Sequence, residues 1–342
     1  MRKGVSNLKL MKGITLKCFL SVFIAISLLA CSSNDHHSVR INVDITNDNS
    51  DSYLAEHKWQ HGSENCKNNT EPAIEVFRYQ ASSYILRQNK CQHFEAPFIY
   101  LLMGKNKALL LDTGAVESAI EFPLFQKVSQ LMKQYQAEAD VAELELLVLH
   151  SHGHSDHYTG DSQFLNQANV SLIVPSEKAL AKFLNANRNS SKDEISIELG
   201  KRKVTILPTP GHQEEAITLY DSQTQWLLTG DSFYPGLVYV KHWQDYRTSI
   251  HSLAKFSERN KVSAVLGAHI EMKSAAEKYY EVGSTFQPNE ASLSLNIELL
   301  QALDKQLAQY PEPTKLIFDN IIIMPMTALQ QSLSNFGRFI SQ

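Results

Sequence analysis

From residue 74 onward, short apolar runs recur between polar stretches. IEVFRYQ (74–80), SYILRQ (83–88), FIYLLMG (98–104) and KALLLDTG (107–114) read as strands, with Gly104, Lys105 and Asn106 as turn residues between the last two. Residues 117–139 predict a helix. LELLVLH (144–150), VSLIVP (170–175), KVTILP (203–208), TQWLLTG (224–230) and VSAVLG (262–267) then alternate with amphipathic stretches such as SEKALAKFLNAN and TSIHSLAKFSER. Such alternation predicts a layered α/β architecture rather than an all-β sandwich. The carboxyl-terminal part reads as mainly helical over 289–310 and 326–340, with Pro311 and Pro313 between and IIIMP (321–325) as an added strand.

The first 30 residues follow a different pattern. Arg2, Lys3, Lys9, Lys12 and Lys17 precede the apolar run CFLSVFIAISLLA (18–30), and polar residues follow Cys31. A membrane span needs about 20 apolar residues, so this shorter run fits the core of a signal peptide. Leu28-Leu29-Ala30-Cys31 resembles the lipobox of bacterial lipoproteins, which implies cleavage before Cys31 and its lipidation. Ser32 and Ser33 resemble the sorting signal for the outer membrane. The expected location is therefore the bacterial cell envelope, with the chain lipid-anchored and facing the periplasm. Residues 31–70, rich in Ser, Asn, Asp and His, read as a flexible tether in which His36, His37, His57 and His61 are solvated.

Removing the leader changes the charge and the cysteine count. The whole chain carries 32 Lys+Arg and 36 Asp+Glu; without the five leader cations, 27 stand against 36, a net of −9. That balance disfavours nucleic acid as a partner. With Cys18 cleaved away and Cys31 lipidated, Cys66 and Cys91 remain as an even pair for an oxidising compartment and are candidates for a disulfide, two buried thiols being the alternative.

The segment LHSHGHSDHYTG carries the chemistry: His152, His154, Asp156 and His157 spell His-x-His-x-Asp-His. A strand end can aim His152 and His154 at one ion, while Asp156 and His157, opening the next helix, turn toward a second. Imidazole and carboxylate suit zinc, and also iron or manganese. His212, Asp231 and His269 each lie just past the end of a predicted strand, where open α/β sheets place ligand sites. His150 adds an extra His-x-His frame without the following Asp and His, and reads as strand-end packing.

These residues, together with Leu-Leu-Leu-Asp112-Thr113-Gly114, Pro210-Gly211-His212 and Gly230-Asp231, resemble the metallo-β-lactamase-fold superfamily over roughly 74–270, in its glyoxalase II and lactonase branches. The resemblance implies a four-layer αββα sandwich over 71–285, with a mainly helical extension (286–342) packed on it. It further implies two divalent ions, zinc foremost. His152, His154 and His212 would hold the first, Asp156, His157 and His269 the second, and Asp231 would bridge them, with Asp112 supporting from behind.

A water between two such ions has its pKa lowered toward about 7, so hydrolysis of an ester, thioester or lactone of a small molecule is the expected reaction. Asp156 is expected to orient the attacking oxygen. Tyr234, three residues after Asp231, resembles a tyrosine of the bacterial N-acyl-homoserine lactonases and is a candidate hydrogen-bond donor. The alternatives are a true β-lactamase, whose EDYR-like stretch is similar to Gln244-Asp245-Tyr246-Arg247, a phosphoester hydrolase, iron-dependent redox chemistry, and a non-catalytic metal-binding lipoprotein.

Overall fold

Strand Phe98–Met103 is buried at every position, because each of its two faces has a cover. Successive strand residues point to opposite faces. Phe98, Tyr100 and Leu102 enter one apolar cluster with Leu109, Leu111, Leu147 and Leu149, and with Ile206, Leu219, Trp226, Leu228 and Leu266 of a second sheet. Ile99, Leu101 and Met103 enter another, with Leu110 and Val148 and with Leu124, Val128 and Leu131 of helix Leu124–Ala139. Leu227 and Val265, facing outward from the second sheet, pack on Tyr246, Ile250 and Leu253 of helix Trp243–Ser257 and on Leu299, Leu303 and Leu307 of helix Ile297–Gln309. The layers run helix, sheet, sheet, helix, the order that the family resemblance implies. The structure is a computed structural model that describes residues 38–43, 52–189 and 194–341; the leader and Cys31 lie outside the described residues.

The first sheet joins Ile74–Gln80, Ser83–Gln88, Phe98–Met103, Lys107–Leu111, Glu145–Leu149 and Val170–Leu172 in chain order, its last two pairings parallel. In the second, Ala264–Gly267 lies parallel to Trp226–Gly230, which pairs antiparallel with Ile217–Asp221, and Ile217–Asp221 in turn with Lys203–Pro208. Buried Arg202 fastens the two sheets. It donates to Asp221 at 2.8 and 2.7 Å, to the carbonyls of Ser82 and Met103 at 2.7 and 3.1 Å, and to Ser83 Oγ at 2.9 Å.

Several boundaries differ from the sequence reading. The helix expected over 117–139 starts at Leu124, since Pro123 disfavours helical backbone at the residue before it and 118–122 close a turn instead. The helix expected over 289–310 spans Ile297–Gln309, opened by Asn296, whose side chain accepts the Leu299 N–H. Before that cap, Ser294–Leu295 pairs with Ala264–Gly267. The carboxyl-terminal part is also less helical than expected. Lys315–Ile317 and Ile322–Pro325 form a hairpin that joins Leu237–Val240 and Ser38–Arg40 in a third sheet.

The tether expected to reach residue 70 is a correction. Ser38–Arg40 is a paired strand, Leu54 and Trp59 are 0% and 5% exposed, and the Trp59 ring meets Phe98 edge-on at 4.8 Å. Isolated apolar residues in a polar stretch have no periodicity to announce them, yet they cover the end of the inter-sheet core. His57, expected to be solvated, lies 2.9 Å from Glu75. Cys66 and Cys91 are joined by a disulfide, which ties this segment to the loop between Ser83–Gln88 and Phe98–Met103.

Candidate metal centre

Strand Glu145–Leu149 delivers the His-rich loop to the sheet edge, and Asp112 shapes it. Its backbone takes a left-handed turn (φ 71°) just past strand Lys107–Leu111. There its carboxylate accepts the Ser151 N–H at 2.7 Å and the Ser151 hydroxyl at 2.9 Å. Gly153, between His152 and His154, donates its N–H to Glu215 at 3.0 Å. Helix Ser155–Tyr158 then presents Asp156 and His157.

Two donor groups result. His152, His154, His212 and Asp231 bring ligand atoms within 4.8 Å of one another, as do Asp156, His157 and His269. In the first, His152 Nε2 and His154 Nδ1 are 2.8 Å apart, His212 Nε2 and His154 Nδ1 3.1 Å, and Asp231 Oδ2 is 3.7 Å from both His152 Nε2 and His212 Nε2. In the second, Asp156 Oδ2 lies 3.0 Å from His157 Nε2 and 3.1 Å from His269 Nε2, and those nitrogens are 3.4 Å apart. Asp231 reaches both groups, with Oδ1 3.4 Å from His269 Nε2 and Oδ2 3.6 Å from His157 Nε2.

These residues fit metal ions by spacing, tautomer and charge. Tetrahedral coordination at about 2.0–2.2 Å requires donors roughly 3.3–3.6 Å apart, a range the observed separations bracket. His157 Nδ1 donates to Asp112 Oδ2 at 2.9 Å, His212 Nδ1 to the Tyr239 carbonyl at 2.7 Å and His269 Nδ1 to the Glu95 carbonyl at 3.2 Å. Each bond turns Nε2 toward the cluster, the arrangement found behind metal-binding histidines. Asp231 Oδ1 is buried without a hydrogen-bond partner, a costly state that a cation would relieve.

The electrostatics separate the two halves. Burial first, then neighbouring rings, holds His152 well below the ordinary histidine value and His154 at about 3; burial also lowers His212, against the pull of Asp231. All three are neutral at pH 7, the ligand form. For His157 and His269 burial acts in the same downward direction but loses to carboxylates. Asp156, Asp112 and Asp231 raise His157 well above its usual value, and Asp231 and Asp156 raise His269 to about 9. The second half draws positive charge to itself.

Tyr234 does not take the place expected of a donor to the reacting atoms. Its hydroxyl donates to the Leu237 carbonyl at 2.7 Å and lies 3.3 Å from Glu271, while its ring packs 5.7 Å from that of His269. The proton is already used, so the side chain supports the His269 loop. His150 is buried, with Nδ1 3.0 Å from the Ile173 carbonyl and Nε2 2.8 Å from Asp161, away from both donor groups. The sequence reading missed Gln213, whose amide lies 2.6 Å from His154 Nε2, and Glu215. Gln213 adjoins His212 and Glu215 lies three residues after it, but nothing in their spacing distinguishes them from other loop residues.

Residues 94–269 match the family model of the metallo-beta-lactamase superfamily. Acyl-coenzyme A thioesterase MBLAC2 of Homo sapiens is 25% identical over 222 residues, covering 55% of this chain and 77% of the relative. The Bos taurus protein of that name is 24% identical over 219 residues, with the same coverage of 55% and 77%. Among solved structures, a metallo-beta-lactamase from Pontibacter korlensis matches 69% of this chain and 100% of its own with 16% identity and a TM-score of 0.42.

Proposed function

The chain belongs to the metallo-beta-lactamase superfamily, and from that premise we propose that it is a dinuclear, zinc-dependent hydrolase of small-molecule thioesters, with esters and lactones as related substrates. Asp231 carries the reading: one buried carboxylate stands between two separate imidazole groups, with an oxygen toward each. The relatives named as acyl-coenzyme A thioesterases favour the thioester over the other acyl compounds.

Ions held by His152, His154, His212 and Asp231, and by Asp156, His157, His269 and Asp231, would supply Lewis acidity and a water acidic enough to ionise near neutral pH. The chain's own residues do the rest. Asp112, Tyr239 and Glu95 fix the ring orientations, so the site needs no reorganisation during reaction. Asp156, 7% exposed, lies between His157 and His269, where its carboxylate can orient a water O–H. The water oxygen adds to the acyl carbon, the C–S bond breaks, and the thiol leaves with a proton, giving one acid and one thiol.

We also propose that the mature chain begins at Cys31 and is held by lipid in the bacterial cell envelope, a reading supported by the basic leader and by Leu-Leu-Ala-Cys31. Mass spectrometry of the mature amino terminus tests it; an unmodified Met1 or a cut elsewhere overturns it.

Metal analysis combined with a panel of thioester, ester, lactone, β-lactam and phosphodiester substrates tests the activity. The expected result is two zinc ions per chain and metal-dependent thioester turnover that Asp156→Ala abolishes. Stoichiometric metal without such turnover on any acyl substrate overturns it and leaves a binding module.

A further inference from the structure

The histidine orienters differ in how firmly they are held. Asp112, which holds His157, is 1% exposed at a strand end, and Tyr239, which holds His212, lies within strand Leu237–Val240. His269 instead depends on the carbonyl of Glu95, in the 89–97 loop, where the side chains of His93 and Glu95 are 32% and 31% exposed. That loop must be fixed from outside the sheet.

Besides the Asn89 amide, which donates to the carbonyls of Glu71 and Pro72 at 3.3 and 3.0 Å, and the Gln92 amide, which donates to the Glu121 carbonyl, two attachments tie it to Glu290 and to the 61–66 segment. Lys90, 2% exposed, turns its ammonium back onto the Phe94 carbonyl at 3.2 Å, one residue before Glu95. It lies 3.8 Å from Glu290, which is itself clamped by Arg87 at 2.6 and 2.5 Å. The second attachment is the bond from Cys91 to Cys66. Cys66 belongs to a segment anchored to the body: Ser63 N–H donates to the Thr285 carbonyl at 3.0 Å, and the N–H groups of His61 and Gly62 donate to Glu71 at 3.2 and 2.9 Å. Gly62 packs so closely here that an added Cβ would lie 2.1 Å from the Thr285 carbonyl oxygen and 2.9 Å from Lys90 Cβ. Covalent and ionic anchors thus meet at one end of the loop, and the histidine at the other.

We infer that Cys66, Cys91 and Lys90 are positioning residues for the second half of the metal centre, acting through the Glu95 carbonyl on His269. The inference rests on the dinuclear reading. Freed at Cys91, the loop keeps only its hydrogen bonds, the Glu95 carbonyl is held less firmly beneath the His269 ring, and Nε2 is fixed less tightly toward Asp156. The first group has no contact with this loop through its orienters, so its affinity stays. Loss of a partner behind a metal ligand weakens metal binding by about 10–100-fold.

Zinc content after equilibration against graded chelator concentrations tests this on three samples: the wild type, Cys66→Ser/Cys91→Ser, and wild type reduced while folded by a phosphine and then alkylated. The expected result is two ions on the wild type, and on the other two samples one ion retained with unchanged affinity and a second bound 10–100-fold more weakly. Equal retention of both ions in all three samples overturns the inference, as does equal weakening of both ions in a sample that keeps its circular dichroism. If the serine variant loses its fold, the reduced wild type decides. A wild type that takes up fewer than two ions instead sinks the dinuclear reading, and the inference with it.

Discussion

Asp112 Oδ2 accepts the Nδ1–H of His157 at 2.9 Å while both Asp112 oxygens hold Ser151. One carboxylate behind the centre therefore sets a ligand's tautomer and the path of the loop carrying the other ligands. Asp112→Ala removes both functions. Zinc affinity of the half that contains His157 should fall by about 10–100-fold, measured by chelator competition; unchanged affinity would show that His157 needs no partner.

The Tyr234 hydroxyl is engaged by the Leu237 carbonyl in this arrangement. Tyr234→Phe deletes the hydroxyl given to Leu237 and leaves its carbonyl without that donor. Folding stability should drop by about 1–3 kcal/mol, while kcat on the best substrate stays within twofold. A hundredfold loss of kcat at normal metal content would restore the tyrosine to the chemistry.

Arg202 and Asp221 form a buried ion pair, both side chains 0% exposed. Arg202→Met strands the Asp221 carboxylate inside the fold, and chemical denaturation should show about 3–5 kcal/mol of lost stability. A loss below 1 kcal/mol would mean that water reaches the pair.

Lys90 sets a pH dependence of stability. Burial, then the nearby Arg87 charge, lowers its ammonium to about 7, against the opposing pull of Glu290. Between that value and the ordinary lysine value of about 10.4 the unfolded chain holds a proton that the folded chain has lost. Stability contributed at this position is therefore lowest below pH 7 and increases as pH rises from 7 to about 10. In Lys90→Met this part of the slope should disappear; denaturation midpoints of both proteins at pH 6, 8 and 10 give the comparison. Parallel curves would show that Lys90 titrates normally.

Much of the fold was legible because its signals are local. FIYLLM, and ALLL after Lys107, are apolar at every position because both sheet faces are covered, and their length identifies them as strands. The candidate ligands were legible for a related reason: His152, His154, Asp156 and His157 occupy one short turn, and His212, Asp231 and His269 each follow a strand. Leu54 and Trp59 were not legible, since their burial comes from Phe77 and Phe98, far along the chain.

By itself, the sequence determined the layered α/β architecture and picked out the side chains that could hold metal, because hydrophobic period and ligand spacing act over a few residues. Only the tertiary structure decided which nitrogen of each ring faces the centre. The acceptors for His212 and His269 are the backbone carbonyls of Tyr239 and Glu95, and every residue type carries such a carbonyl. The Tyr234 hydroxyl likewise turns toward a carbonyl that only the folded chain places within reach.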